Sequence, residues 1–112
     1  MSIIIPVTKQ LIAQNITFSV TFWSRFLGLM LKKTLPKGEA LVIKPCNSIH
    51  TFFMRFPIDV VFTDEKWRVV AVYENLRPWR VTKIVKEAKQ VIELPAGTLK
   101  GKLKVGAKLE VS

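Results

Sequence analysis

The side chains most capable of chemistry lie in one short run, from Cys46 to Asp59. This run contains the only Cys and the only His among the 112 residues. The pair suggests thiolate attack with the imidazole as the base. If residues 46–54 are extended, however, Cys46 and His50 lie about 13 Å apart, at roughly 3.3 Å per residue. A catalytic dyad needs hydrogen-bond contact, so the spacing predicts that Cys46 is a plain buried thiol.

His50 and Asp59 are better candidates for a site. His50 lies in a run expected to be partly buried, where an imidazole either forms structural hydrogen bonds or lines a pocket and binds an anion or moves a proton. Asp59 lies among apolar residues, where a carboxylate is costly to bury without a partner. It either accepts backbone N–H groups at a turn or pairs with His50, Arg25 or Arg55. One pocket holding both would indicate acid–base work, so both are catalytic candidates.

Further residues extend this pair to a predicted binding set. Met54 belongs to a cluster of Met and Phe, which is most often core and sometimes the wall of a ligand groove. Trp79 lies in the basic stretch 77–80, RPWR, a pattern that can stack on bases or sugars. We favour the simpler interpretation that Trp79 covers the core. The predicted binding residues are His50, Met54, Asp59, Arg25 and Trp79.

Neither a metal site nor a cofactor is predicted. A zinc site needs three or four ligands, and with a single Cys and a single His only carboxylates would remain to complete the set. The sequence also has no phosphate-binding loop and no Ser, His and Asp set for nucleophilic catalysis. These absences favour a binding module over an enzyme.

Composition and charge limit the partners. The chain has 18 Lys and Arg against 8 Asp and Glu, a formal net charge of +10. Such a field attracts polyanions, but the positive residues are scattered, so nucleic acid is an alternative that the pattern does not favour. The single Cys and a beginning without a leader-like or membrane-spanning segment predict a soluble, cytoplasmic protein. The partner is an unidentified small ligand or protein, and the oligomeric state is undetermined.

The elements that must position these residues are mostly short strands. Residues 3–22 are expected to be extended, and an apolar stripe at helical spacing predicts a short helix over 22–31. The clearest hairpin joins 58–62 to 67–73 through a turn at 63–66. Residues 75–90 are ambiguous, with a loop or edge favoured. Further strands are predicted over 40–43, 90–94 and 109–111, and a further turn over 35–38.

This pattern predicts a single domain, residues 1–112, with a mainly β fold (α+β by strict count). The architecture is expected to be barrel-like or sandwich-like, with one short helix in the N-terminal half.

Three blocks of sequence, in order, resemble the domain of unknown function 192 family. The blocks are RFLGLM with LPKGEAL (25–30, 35–41), IHTFFM with FPIDVVF (49–54, 56–62) and VIELPAG with VG (91–97, 105–106). The resemblance implies a compact, mainly β domain with a short helix, in a family without an established activity. Ala107 departs from the pattern, because the family often has Asp there. Both His50 and Asp59 lie within the matched blocks.

Three functions follow from these observations. The first is a ligand- or protein-binding module with a pocket around His50 and Asp59. The alternative is a small hydrolase or isomerase that uses the same two residues for acid–base chemistry. The third is a nucleic-acid-binding protein that acts through its basic surface and Trp79.

Overall fold

Short strands dominate the fold, as the sequence predicts. The structure is a computed structural model that describes residues 2–6, 10–19, 35–52 and 54–112. In these ranges the secondary structure consists of strands without a helix, and the helix predicted over 22–31 lies outside them. The strands are β1 (Ile3–Ile5), β2 (Gln10–Ala13), β3 (Asn15–Ser19), β4 (Glu39–Ile43), β5 (Ile58–Thr63), β6 (Val69–Leu76), β7 (Gln90–Pro95) and β8 (Glu110–Val111).

The strands form two sheets. One has three strands in the order β2-β1-β8, and the other has five in the order β3-β4-β7-β5-β6. Pairing is antiparallel except between β3 and β4, which are parallel. The mainly β prediction is confirmed. The two sheets give a sandwich-like arrangement, and the described strands do not close into the barrel that was the other expectation.

The three central strands of the five-stranded sheet, β4, β7 and β5, are buried on both faces, and every residue of β5 is buried. Because side chains alternate along a strand, Val61 packs in a cluster with Ile3 and Ile12 of the three-stranded sheet. We call this the sandwich face. The neighbouring Val60 packs in a second cluster on the opposite side, with Met54. We call this the loop face, because residues of the loops 44–57 and 77–89 cover it.

The β5–β6 hairpin is confirmed. Its turn is held by Asp64, whose Oδ1 accepts hydrogen bonds of 2.9 Å from the backbone N–H groups of Lys66 and Arg68. The hydrogen bond from Arg68 is the main reason that the pKa of Asp64 is lowered. Trp67 adopts a φ of 66°, a left-handed turn conformation.

The ambiguous stretch 75–90 is mostly a loop, over residues 77–89, between the end of β6 and the start of β7. One of its contacts with the rest of the chain is an isolated bridge between His50 and Val81. This bridge holds the loop beside the segment that contains His50.

Candidate binding surface

Two buried threonines join the loop segments 49–52 and 77–82. The Thr51 N–H donates to the Arg80 carbonyl (2.8 Å), and the Thr51 carbonyl accepts from the Trp79 N–H (3.0 Å). The Thr51 hydroxyl donates to the Arg77 carbonyl (2.6 Å) and accepts from the Arg80 N–H (2.9 Å). Thr51 has no exposed surface. Its hydrogen bonds therefore determine how the two segments sit against each other.

Thr82 also joins the two segments, through hydrogen bonds of its backbone and its hydroxyl to Ile49. The Thr82 N–H donates to the Ile49 carbonyl (2.9 Å), and the Ile49 N–H donates to the Thr82 hydroxyl (3.0 Å). A hydroxyl that both donates and accepts can satisfy backbone groups of irregular loops that have no sheet partner. The two threonines form what we call the threonine clasp.

The threonine clasp brings three aromatic rings together. The His50 and Phe52 ring centroids lie 4.9 Å apart with planes inclined by 31°, and the Phe52 and Trp79 centroids lie 5.7 Å apart with planes inclined by 28°. The first pair is tilted and the second is stacked, and we call this group of three rings the aromatic stack. Phe52 is 38% exposed and Trp79 is 56% exposed, so the interpretation of Trp79 as a lid over the core is wrong.

His50 lies at the surface rather than in the partly buried position expected. Its Nδ1 accepts a hydrogen bond from the Phe52 N–H (3.3 Å). In the neutral ring an accepting Nδ1 carries no hydrogen, which leaves the ring hydrogen on Nε2. The imidazole is thus held against Phe52 as a member of the stack.

The two stretches of sequence that contain the aromatic stack are positively charged. The segments 44–58 and 76–86 contain no Asp or Glu, although the whole chain has 8. All the Lys and Arg side chains in these segments are exposed, and none forms an ion pair with a described residue. These six cations are Lys44, Arg55, Arg77, Arg80, Lys83 and Lys86.

Asp59 is buried on the other side of the sheet from Met54. Its Oδ1 accepts from the Asn75 N–H (2.8 Å) and its Oδ2 from the Leu99 N–H (2.9 Å). Leu99 belongs to the cluster on the sandwich face, whereas Met54 belongs to the one on the loop face. The structure therefore separates Asp59 from Met54, and no hydrogen bond or ion pair joins Asp59 to His50 in the described residues. Arg25 lies outside them.

Cys46 is a buried thiol, as the sequence predicts. Its Sγ donates to the Ser48 carbonyl at 3.0 Å, and in the described part of the chain no hydrogen bond connects it to His50. An open cleft of about 270 Å³ adjoins it. The cleft is lined by Pro45, Cys46, Asn47, Ser48, Ala88 and Lys89.

The described ranges contain neither a cluster of metal ligands nor a membrane-spanning helix. No group of three or more His, Cys, Asp and Glu is placed to hold a metal ion. No helix in those ranges is long and apolar enough to cross a membrane.

Glu93 is a buried acid that sequence reasoning missed. It lies on β7 between its strand partners Leu41 and Val60, and only 5% of its surface is exposed. Burial raises its pKa to about 7, from an ordinary value of 4.5. By strand alternation it faces the loop side, as Val60 does. The signal was present in the sequence, because one carboxylate interrupts the apolar strand VIEL.

The two packed sheets form a small β fold that is also seen in solved structures of other proteins. A Sinorhizobium meliloti protein, named as a candidate transcription regulator, aligns with a TM-score of 0.81 at 20% identity over 97% of this chain and 89% of that one. A protein of unknown function from Novosphingobium aromaticivorans aligns with a TM-score of 0.76 at 20% identity, over 86% and 74% of the two chains. Likeness at this identity shows the fold alone.

The chain belongs to the domain of unknown function 192 family. The family's sequence model, described as Uncharacterized ACR, matches residues 4–111, which confirms the resemblance seen in the three blocks. The UPF0127 protein of Pyrococcus abyssi is 44% identical over 96 residues, 80% of this chain and 79% of that protein. The UPF0127 protein of Pyrococcus furiosus is 34% identical over 102 residues, 86% and 85% of the two.

Proposed function

We propose that this protein is a binding module that contacts its partner through the aromatic stack and the exposed cations of the segments 44–58 and 76–86. The observation that carries the proposal is the exposure of two stacked rings, 38% for Phe52 and 56% for Trp79. When a partner removes large aromatic side chains from water, the complex is stabilised by about 25 cal/mol per Å² of apolar surface buried. Aromatic and arginine side chains are also the residues enriched in interfaces.

The rigidity of the surface supports the same proposal. The threonine clasp holds the two loop segments by hydrogen bonds that exist before a partner arrives, so little loop entropy is lost on binding. Asp59 contributes as a positioning residue, because it holds the Asn75 N–H near the end of β6, just before the loop begins.

Binding is favoured over acid–base catalysis by the contacts of the two candidate residues. Both carboxylate oxygens of Asp59 already accept backbone N–H groups, and Nδ1 of His50 accepts from the Phe52 N–H. Each group therefore has a structural partner. The hydrolase or isomerase alternative would need these groups to face a shared substrate.

Chemical-shift mapping of the amide signals tests the proposal. The probes are a single-stranded oligonucleotide, an acidic peptide, an acidic oligosaccharide and anionic phospholipid vesicles. We expect at least one probe to shift the signals of 49–52 and 77–82, and Phe52→Ala to weaken that probe's binding. Leu11→Ala is the matched control, because Leu11 is 51% exposed on β2 in the other sheet. Shifts confined to other regions, or none with any probe, would contradict the proposal.

A further inference from the structure

Exposed side chains lie together where the threonine clasp joins the two loop segments. His50 and Val81 oppose each other in the isolated antiparallel bridge. Residues directly opposite in such a pair place their side chains on the same side, about 5 Å apart. The Phe52 ring contacts the rings of both His50 and Trp79. All four side chains are exposed, Val81 to 68% and Trp79 to 56%. We call these four residues the exposed patch.

Trp79 is held in this patch by a backbone conformation that costs free energy. Its φ is 65°, in the left-handed region that a bulky side chain rarely adopts. The Trp79 N–H donates to the carbonyl of the buried Thr51 at 3.0 Å, which helps to hold that conformation. Strained positions of this kind cluster at functional sites, which supports a role for Trp79 in binding.

Cations lie next to the exposed patch along the chain. Arg80 is adjacent to both Trp79 and Val81, and Lys83 follows Val81 by two residues. Because two residues of chain span at most about 7 Å, both charges stay near the patch. Both side chains are exposed and neither forms an ion pair with a described residue. Ile84, which follows Lys83, is 70% exposed, so the positive charge alternates with exposed apolar surface.

This combination of charge and apolar surface identifies the partner by its chemistry. We infer that the exposed patch docks on the surface of an anionic lipid bilayer, which specifies the partner of the proposed binding surface and so rests on the proposed function. The apolar side chains enter the boundary between headgroups and acyl chains. The lysines and arginines reach the headgroup phosphates, because their long side chains extend from apolar surroundings to water. Attachment of this kind needs no membrane-spanning segment.

Other partners match the surface less well. Nucleic acid binds cations chiefly through its phosphates, and it offers little apolar surface to the aliphatic side chains of Val81 and Ile84. An acidic protein would cover both, but lysine is depleted from protein interfaces, whereas lysine beside exposed apolar side chains is typical of surfaces that bind membranes. A second copy of this chain would bring like charges together, which is unfavourable.

Co-sedimentation with vesicles measures the docking. Vesicles of phosphatidylcholine alone are compared with vesicles that also contain phosphatidylglycerol, which supplies negative charge. We expect the anionic vesicles to bind the protein at least about tenfold more tightly at low salt, because each cation near an anionic surface contributes about fivefold. Their advantage is expected to shrink as salt screens the charges.

Two matched pairs of variants separate apolar insertion from charge. Val81→Ala is expected to weaken binding to the anionic vesicles about 3- to 15-fold, because each of the two carbons removed contributes up to about fourfold. Val105→Ala makes the same change at a side chain that is 66% exposed. It should leave the affinity within about twofold, because a side chain away from the bilayer buries no apolar surface on binding. Lys83→Gln is expected to weaken binding about fivefold, and Lys104→Gln less than about twofold, since a distant charge is screened.

The two control positions lie on the other side of the five-stranded sheet. Lys104 and Val105 stand in sequence between Leu103 and Leu109, which pack in the cluster on the sandwich face. The loop 77–89 instead covers the loop face. All four substitutions change exposed side chains, so we expect each variant to fold.

Three results would overturn the inference. The first is no binding to vesicles at low salt, or equal binding to neutral and anionic ones. The second is equal weakening by Val81→Ala and Val105→Ala, which would show that the positively charged protein adsorbs by charge alone. The third is a shift of the amide signals of 49–52 and 77–82 by the oligonucleotide or the acidic peptide while vesicles do not bind. That last result would leave the binding module standing and replace its partner, so the inference and the proposed function fail separately.

Discussion

Glu93 makes the stability of this protein depend on pH in an unusual direction. Folding raises the pKa of this carboxyl from 4.5 to about 7 because burial disfavours its charged form. Below pH 4.5 the carboxyl is protonated in both the folded and the unfolded chain. Between pH 4.5 and 7 the unfolded chain loses its proton first, so the free energy of unfolding falls as pH rises. Above pH 7 both forms are charged and the loss is complete.

The size of this effect follows from the shift in pKa. One pKa unit corresponds to about 1.36 kcal/mol, so the shift from 4.5 to about 7 corresponds to a loss of about 3 kcal/mol above pH 7. That is a large fraction of the 5–15 kcal/mol typical of small proteins. Only 5% of the Glu93 surface is exposed, so solvent screens the charge little.

Glu93→Gln is the perturbation that isolates the effect. Glutamine resembles the protonated acid in shape and stays neutral. We expect this variant to gain about 3 kcal/mol relative to the unaltered protein when pH is raised from about 4 to 8. Urea denaturation at several pH values measures the free energy of unfolding of both proteins. The titration of all other groups cancels in the difference between the two, because both proteins contain those groups. Any cost of the amide itself is independent of pH.

The control is Glu65→Gln, which makes the same change in charge at an exposed position of the β5–β6 turn. We expect its stability difference from the unaltered protein to be nearly constant over the same pH range. A difference for Glu93→Gln that is equally flat, or that favours the unaltered protein at pH 8, would refute the assignment of Glu93 as a destabilised buried acid.

Two further predictions concern residues that hold the binding surface in place. Asp59→Asn is expected to lower the free energy of unfolding by about 1–3 kcal/mol, because its NH₂ group meets a backbone N–H of Asn75 or Leu99 and leaves that donor unsatisfied. Denaturation of Asp59→Asn at neutral pH measures this, and unchanged stability would contradict it. Thr51→Val is expected to cost a similar 1–3 kcal/mol and to speed amide exchange at Arg80, whose N–H loses its acceptor. Thr51→Ser keeps the hydroxyl, so it should lose much less, and equal losses in both variants would argue against the clasp.

Local patterns were sufficient for most of the described fold. Strand alternation and turn residues predicted β3, β4, the β5–β6 hairpin and β7, with small differences in their ends. These features depend on neighbours in sequence, because a strand buries every second side chain. The three blocks also identified the family. The helix predicted over 22–31 and the role of Arg25 lie outside the described residues and stay predictions.

The candidate site depended on contacts between distant residues, which local patterns do not encode. His50 and Trp79 were both singled out from the sequence, but nothing local indicated that the Phe52 ring would contact both of them. Their meeting depends on the hydrogen bonds of Thr51 to a segment 26 to 29 residues away.

The sequence by itself determined which residues form strands and which family the chain belongs to. Only the tertiary structure decided which side chains share a surface. It placed Asp59 on the sandwich face and Met54 on the loop face, because strand pairing sets which side of the sheet each residue faces. It also enclosed Glu93 among apolar neighbours. Burial, unlike strand alternation, is a property of the whole packed chain.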